Sequence, residues 1–327
     1  MNETLASLFA RYPPEFRPLA EPEPLGNAGG MSGARLWKFS SPRGPMAARA
    51  WPVGGRSLGE IETIHAWLNR ANTLTFVPVP VAAKSGRTIH EIAGISWEIA
   101  PWMPGEADRE EPPSLARVRS AFAALAAFHE RLGPSTECGF SPGLAMRARE
   151  IEDLPQFITS WTAIVRSAPE DDVRAMALEW LAIASRIAIR ILPEIRAAAS
   201  LAVALQPVLR DARPDHLLFI NDRVTGLVDF GAMGIDTVAA DLARLCAEWI
   251  GENSDLREEA VSSYRQARPL TETEEALIAA FERSANLLAG SRWIQWHFVQ
   301  KIAFENASAV KTGMRGALAK IARLEEF

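Results

Sequence analysis

The chain has 327 residues, enough for one large domain or two lobes with a sizeable core. Hydrophobic residues at 48 % and charged ones at 23 % are the balance of an ordinary folded protein, which excludes a disordered chain. The net charge of −5 argues against a nucleic-acid partner, and the two cysteines, Cys138 and Cys246, are too few for a disulfide framework or a cysteine zinc site. Met1–Pro13 shows no apolar run behind a basic start, and no stretch nears the roughly 18 apolar residues of a membrane helix. A cytoplasmic, reduced protein is expected.

The first hundred residues read as β-rich. Arg35–Phe39 and Met46–Trp51 are expected strands, joined by a turn at Ser41–Gly44. Ser57–Arg70 carries Leu58, Ile61, Ile64, His65 and Leu68 on one side, the spacing of an amphipathic helix. Val77–Val81, Arg87–Glu91 and Ser96–Ala100 read as further short strands. Helices take over after Pro104–Gly105. Ser114 is a candidate N-cap for a helix with Leu115, Val118, Phe122, Leu125 and Phe128 on one stripe. Glu170–Ala198 reads as a long helix in which Pro193 marks a kink or an end. Asp236–Trp249, Asp255–Ala267, Thr271–Leu288 and Arg292–Ala319 also read as helical. The exception is Pro207–Phe230, where strands His216–Ile220 and Val224–Val228 flank an Asn221–Asp222 turn. The pattern is an α+β chain, with a small β-rich lobe over residues 1–101 and a larger helical lobe over 102–327.

The hairpin segment holds the residues best suited to chemistry. Asp211 and Asp229 each follow an apolar stretch, and the hairpin between them brings its two ends together. Asp229 heads an Asp-Phe-Gly triplet, and His216 stands between the carboxylates. Phosphoryl transfer uses such a set: one carboxylate orients the acceptor hydroxyl and another holds Mg²⁺ against the phosphates. Upstream, Gly26, Gly29, Gly30 and Gly33 lie between β-prone runs, where backbone N–H groups with no side chain in the way can wrap phosphate oxygens. His129, on a helix with an apolar face, reads as a structural histidine, and Trp293 and Trp296 read as core residues, with lining of an acceptor pocket as the alternative.

These stretches resemble the aminoglycoside phosphotransferase and choline kinase-like family, small-molecule relatives of the protein kinases. The resemblance runs from about Leu25 to Leu245. It matches Asp211 to the family's catalytic Asp, Asp229 to its metal-binding Asp, and Asp241 to the Asp of its Asp-Leu-Ala segment. Gly29, Gly30, Ser32 and Gly33 resemble its nucleotide loop. Glu98-Ile-Ala-Pro-Trp102-Met-Pro-Gly105 resembles its hinge, with the adenine expected against Ala100 and Trp102. The helix ending Leu125-Ala-Ala-Phe-His129 resembles its Leu-x-x-Leu-His segment. In four places the catalytic stretch departs from the family: Leu209 stands for its first His, Arg210 for its Gly, Arg213 for its second His and His216 for its metal-binding Asn. Arg49 replaces the usual nucleotide Lys, with Glu60 or Glu62 expected to brace it from the helix.

The resemblance implies a protein kinase-like bilobal fold and an ATP-dependent phosphotransferase acting on a hydroxyl of a small molecule. It implies Mg²⁺, or Mn²⁺, at Asp229 with help from His216, and Arg213 beside the transferring group. The rival reading is a pseudokinase-like binding module without transfer. The basic surplus after Ser284, from Arg292 through Lys311 to Arg323, reads as a solvated helix face; only if it reaches the pocket does it favour a neutral or acidic acceptor over a polycationic one.

Overall fold

Alternation builds the first layer. In the computed structural model, which describes residues 3–26, 33–108, 112–133, 138–302, 304 and 308–325, helix α1 (Glu3–Ala10) precedes strands β1 (Glu23–Gly26), β2 (Arg35–Ser41) and β3 (Gly44–Ala50). Helix α2 (Leu58–Arg70) follows, then β4 (His90–Ile92) and β5 (Ile95–Pro101). The strands form one antiparallel sheet in the order β1-β2-β3-β5-β4. Met46, Ala48 and Ala50 of β3, with Trp97 and Ile99 of β5, point into a core that also takes Leu5, Leu8 and Phe9 of α1. The two-residue period therefore sends Arg49 and Glu98 to the opposite face, where they are partners in the ladder.

Helix α2 begins with a full capping box, Ser57 and Glu60 each satisfying the other's backbone N–H. It buries Ile61, Ile64, His65 and Leu68, as its spacing foretold. Val77–Val81 forms no strand: Pro78 and Pro80 have no N–H to give a ladder. Strand β6 (Glu106–Ala107) pairs with Leu217–Ile220, which in turn pairs with Arg223–Leu227 around Asn221 at φ +54°. Ser114 caps α3 (Leu115–Leu132), accepting from the Arg117 N–H. Inside α3, His129 is fully buried with Nδ1 2.8 Å from the Tyr264 hydroxyl, the structural role read for it.

Packing divides the chain into two compact units. The first comprises Met1–Pro134, Leu209–Gly234 and Glu248–Pro269. Helix α3 belongs to it because it packs on Ser254–Ala267 and on the hairpin strand Arg223–Leu227. The second comprises Ser135–Val208, Ile235–Ala247 and Leu270–Phe327.

The second unit is mainly helical. Pro142–Arg166, which periodicity did not reveal, packs lengthwise on Asp172–Ala199. The latter continues past Pro193, because Ile187, Ile191 and Ile195 are buried on either side of it and outweigh one lost hydrogen bond. The expected helix Arg292–Ala319 is instead interrupted: Glu272–Ile294 ends in a π turn over Gln295–Val299, and Ser308–Ala322 follows later. Trp293 and Trp296 meet edge to face, and Trp293 fills the space beside Gly313 where a side chain would stand. Asp236 is buried and accepts from Ser141 Oγ and the N–H groups of Gly143 and Thr237 at 2.6–2.9 Å. Arg147 donates to Phe281 O and Ser284 Oγ. Burial, then the neighbouring Arg244 guanidinium, push its pKa down to about 10. Lys311 of the basic surplus is paired with Asp172 at 2.5 Å. No helix among the described residues is long and apolar enough to cross a membrane.

Candidate active site

A cavity of about 580 Å³ is lined entirely by residues of the first unit. Its wall joins Arg49, Trp51 and the Pro52–Arg56 loop to Asp211, Asp229 and Gly231. The hairpin does what its sequence suggested. It closes on itself so that Val228 N–H donates to His216 O at 2.9 Å, and residues before and after the two strands face one space. His216 Nδ1 donates to the Asp211 carbonyl at 2.9 Å, while Nε2 lies 3.7 Å from Asp229 Oδ2. Asp229 takes a left-handed backbone, φ +61° and ψ +70°, which only a surrounding network can hold for a residue with a side chain. That network includes Gly231 N–H and Arg49 Nη2, each 3.4 Å from Oδ1. Two of the loop carbonyls that follow, Gly231 and Met233, accept from the Arg56 guanidinium at 3.2 and 2.8 Å.

Arg49, on β3, therefore reaches Asp229. The expected brace is different. Glu60 is committed to Ser57 and Arg56, and Glu62 pairs with Arg87 at 2.8 Å, so neither helix carboxylate holds Arg49. Glu60 instead meets Arg56, just ahead of the Ser57 cap, at 3.2 Å. The carboxylate associated with Arg49 is Glu98, buried across the ladder and bonded to Trp51 and His65. Glu98, Trp51, His65 and Arg56 had no assigned chemistry in the sequence. One signal was present: Glu98 is a lone acid among apolar neighbours in a strand, at a position whose alternation faces it away from Trp97 and Ile99.

The remaining site residues fall as follows. Gly29, Gly30 and Ser32 lie outside the described residues; Gly33 is exposed with φ +74°. Ala100 pairs with Ala47, and Trp102 N–H donates to Pro45 O at 3.0 Å with Lys38 over its ring. Arg213 forms a two-pronged pair with Asp215 at 2.9 and 3.0 Å and is not part of the cavity wall. Asp241 is fully buried in the second unit.

The donors suit a divalent cation. Asp229 offers a carboxylate, and His216 offers a ring nitrogen whose partner N–H is tied to a backbone carbonyl, the usual way of aiming a ligating imidazole. Among the described residues no group of three or more His, Cys, Asp or Glu side chains gathers to hold a metal. A nucleotide-borne Mg²⁺ needs no such cage, since it takes one or two protein ligands and completes its shell with phosphate and water.

A family described as "Phosphotransferase enzyme family" matches residues 26–277, a span that contains every residue of the cavity wall. The chain belongs to this phosphotransferase family. A homoserine kinase of Rhodopseudomonas palustris is 25 % identical over 67 % of this chain and 63 % of its own length. One of Methylocella silvestris is 31 % identical, over 29 % of this chain and 32 % of its own length. The chain thus spans less than two thirds of either relative. Among solved structures, an aminoglycoside phosphotransferase of Alicyclobacillus acidocaldarius superposes with a TM-score of 0.64 at 16 % identity, over 97 % of this chain and 94 % of that one. A microcompartment-associated aminopropanol kinase superposes with a TM-score of 0.63 at 17 % identity, over 98 % and 95 %. The phosphotransferase fold is thus the protein kinase-like α+β fold that the motifs implied, β-rich at its start and mainly helical after it.

Proposed function

We propose that this phosphotransferase is an ATP-dependent kinase of a small hydroxylated molecule, with residues 1–101 serving the nucleotide and 102–327 carrying the catalytic hairpin and the acceptor. The observation that carries the reading is that Asp211, Asp229 and Arg49 line one cavity. A binding module without transfer has no use for both carboxylates there, which sets the pseudokinase alternative behind.

Bound ATP supplies a transferable γ-phosphoryl group, and its divalent cation neutralises charge on the phosphates. Asp211 orients the acceptor hydroxyl and takes its proton as the oxygen attacks phosphorus and the bond to the ADP oxygen breaks. Asp229 and His216 would hold the cation. Arg49 grips phosphate oxygens with a planar, permanently charged fork. The family resemblance assigns the adenine to Ala100 and Trp102 and the phosphates to Gly29, Gly30, Ser32 and Gly33. Arg213, read from the sequence as standing beside the transferring group, is paired with Asp215 outside the cavity wall and is assigned no step here.

Hydroxy amino acids and amino alcohols, the kinds of substrate named for homoserine kinase and aminopropanol kinase, come first in the test. ADP release is measured over that panel with Asp211→Asn as the blank. Release that depends on one acceptor and vanishes in the blank supports the reading; none from any acceptor, with no Mg-ATP binding, rejects it.

A further inference from the structure

A carboxylate buried on a strand needs donors and counter-charge, and Glu98 is supplied with both. Its side chain is 9 % exposed, and Oε2 accepts from Trp51 Nε1 and His65 Nε2, each at 2.7 Å. His65 is anchored in turn, with Nδ1 2.7 Å from Thr88 Oγ1. Arg49 stands opposite Glu98 in the ladder between β3 and β5. Such burial is tolerable for a charge only when it is paired and hydrogen-bonded.

On the cavity side, the Arg49 guanidinium carbon lies 4.3 Å from the centroid of the Trp51 ring. An indole whose N–H is bound at one edge cannot swing, so its face is a fixed shelf. A planar guanidinium stacks on that shelf, where a lysine ammonium would gain less. The bracing is indirect, and this has a chemical advantage. A direct ion pair with Glu98 would occupy the donors that a phosphate needs. Stacking leaves the edge of the fork toward the cavity, where Nη2 already reaches Asp229.

We propose that Glu98, held by His65, is the positioning carboxylate for phosphate binding by Arg49, acting through the ring of Trp51 in place of Glu60 and Glu62. The proposal rests on the kinase reading above. It makes Glu98 and His65 positioning residues, since neither touches the cavity.

The test is calorimetry of Mg-ATP and of adenosine binding to the wild type, Glu98→Gln, Trp51→Phe and the double variant, with thermal melts to confirm folding. Glu98→Gln keeps shape and removes charge; Trp51→Phe keeps a ring and removes the N–H. Each should weaken Mg-ATP about tenfold, the size of one charge-assisted contact, while adenosine affinity stays at the wild-type level. The double variant should be no worse than the worse single, because both cut the same link. Should Glu98→Gln fail to fold, Trp51→Phe carries the comparison alone. Equal losses for Mg-ATP and adenosine would mean general damage and overturn the proposal, as would unchanged Mg-ATP affinity in variants of a wild type that binds it. A wild type that binds no Mg-ATP would instead remove the kinase reading, and this proposal with it.

Discussion

His216 and Asp211 share a hydrogen bond that decides which ring nitrogen faces the other aspartate. A carbonyl can only accept, so His216 Nδ1 donates to Asp211 O at 2.9 Å. In the neutral ring the lone pair is then on Nε2, which lies 3.7 Å from Asp229 Oδ2. The histidine thus holds the loop through one nitrogen and presents the other toward the metal side of the site.

The metal preference should follow. Imidazole nitrogen is a softer ligand than the amide oxygen that the family's Asn offers, and suits Mn²⁺ better than Mg²⁺. With a working acceptor in hand, turnover should be faster with Mn²⁺ than with Mg²⁺, and His216→Asn should move the preference toward Mg²⁺. A preference that does not move between the two proteins would confine His216 to holding the loop.

The two aspartates should fail in different ways. Asp211→Asn keeps shape but cannot take the hydroxyl proton, so turnover should drop by roughly 10²–10⁴-fold with Mg-ATP affinity near wild type. Asp229→Ala removes the cation's carboxylate, and calorimetry should find the metal-dependent part of ATP binding gone. Wild-type turnover in Asp211→Asn would reject the mechanism.

What was legible in the sequence was whatever a short-range pattern encodes. The turn at Ser41–Gly44 between Arg35–Phe39 and Met46–Trp51, and the 3.6-residue stripe of Ser57–Arg70, predicted a strand pair and a helix that form nearly as expected. The hairpin was legible because Asn221–Asp222 punctuates two apolar runs, and its closure placed Asp211, His216 and Asp229 together. The brace on Arg49 was not legible. Glu60 and Glu62 sit at plausible helix positions, but Glu60 is drawn into the capping box and Arg56, both local contacts. Glu98 acts on Arg49 through strand pairing and an aromatic ring, neither of which leaves a spacing to read. Pro142–Arg166 was missed for a related reason: its buried residues, Leu144, Ala148, Ile151, Leu154 and Trp161, only become a face once Asp172–Ala199 lies against them.

Gly105 should be among the least replaceable residues near the hairpin. Its φ is +102°, and a Cβ there would stand 2.5 Å from Thr225 Oγ1 and 2.7 Å from the Phe219 carbonyl oxygen. Strain and overlap together predict that Gly105→Ala destabilises by about 2–4 kcal/mol. Gly86, with φ +80° and open space around it, is the control for strain alone, and Gly86→Ala should cost about 1 kcal/mol. Denaturant melts of the two variants with equal midpoints would show that the close approach at Gly105 is relieved at no cost.

Acid should act on the fold through Glu98. Burial by itself raises a carboxyl pKa, but the His65 bond and charge, with Arg49 and Trp51, outweigh it and leave Glu98 below the usual 4.5. The unfolded chain therefore binds this proton first as pH falls, and folding holds the carboxylate ionised. Its stabilising contribution is complete above the unfolded value and is lost as pH drops through the lower, folded value. Denaturant melts of the wild type and Glu98→Gln between pH 7 and pH 3 isolate this group from the other carboxylates, which both proteins share. The wild type should be the more stable above about pH 4.5, and the gap should close in more acid solution. A gap that stays constant down to pH 3 would mean that Glu98 does not titrate in that window, and that its ionised state is not what the surrounding donors stabilise.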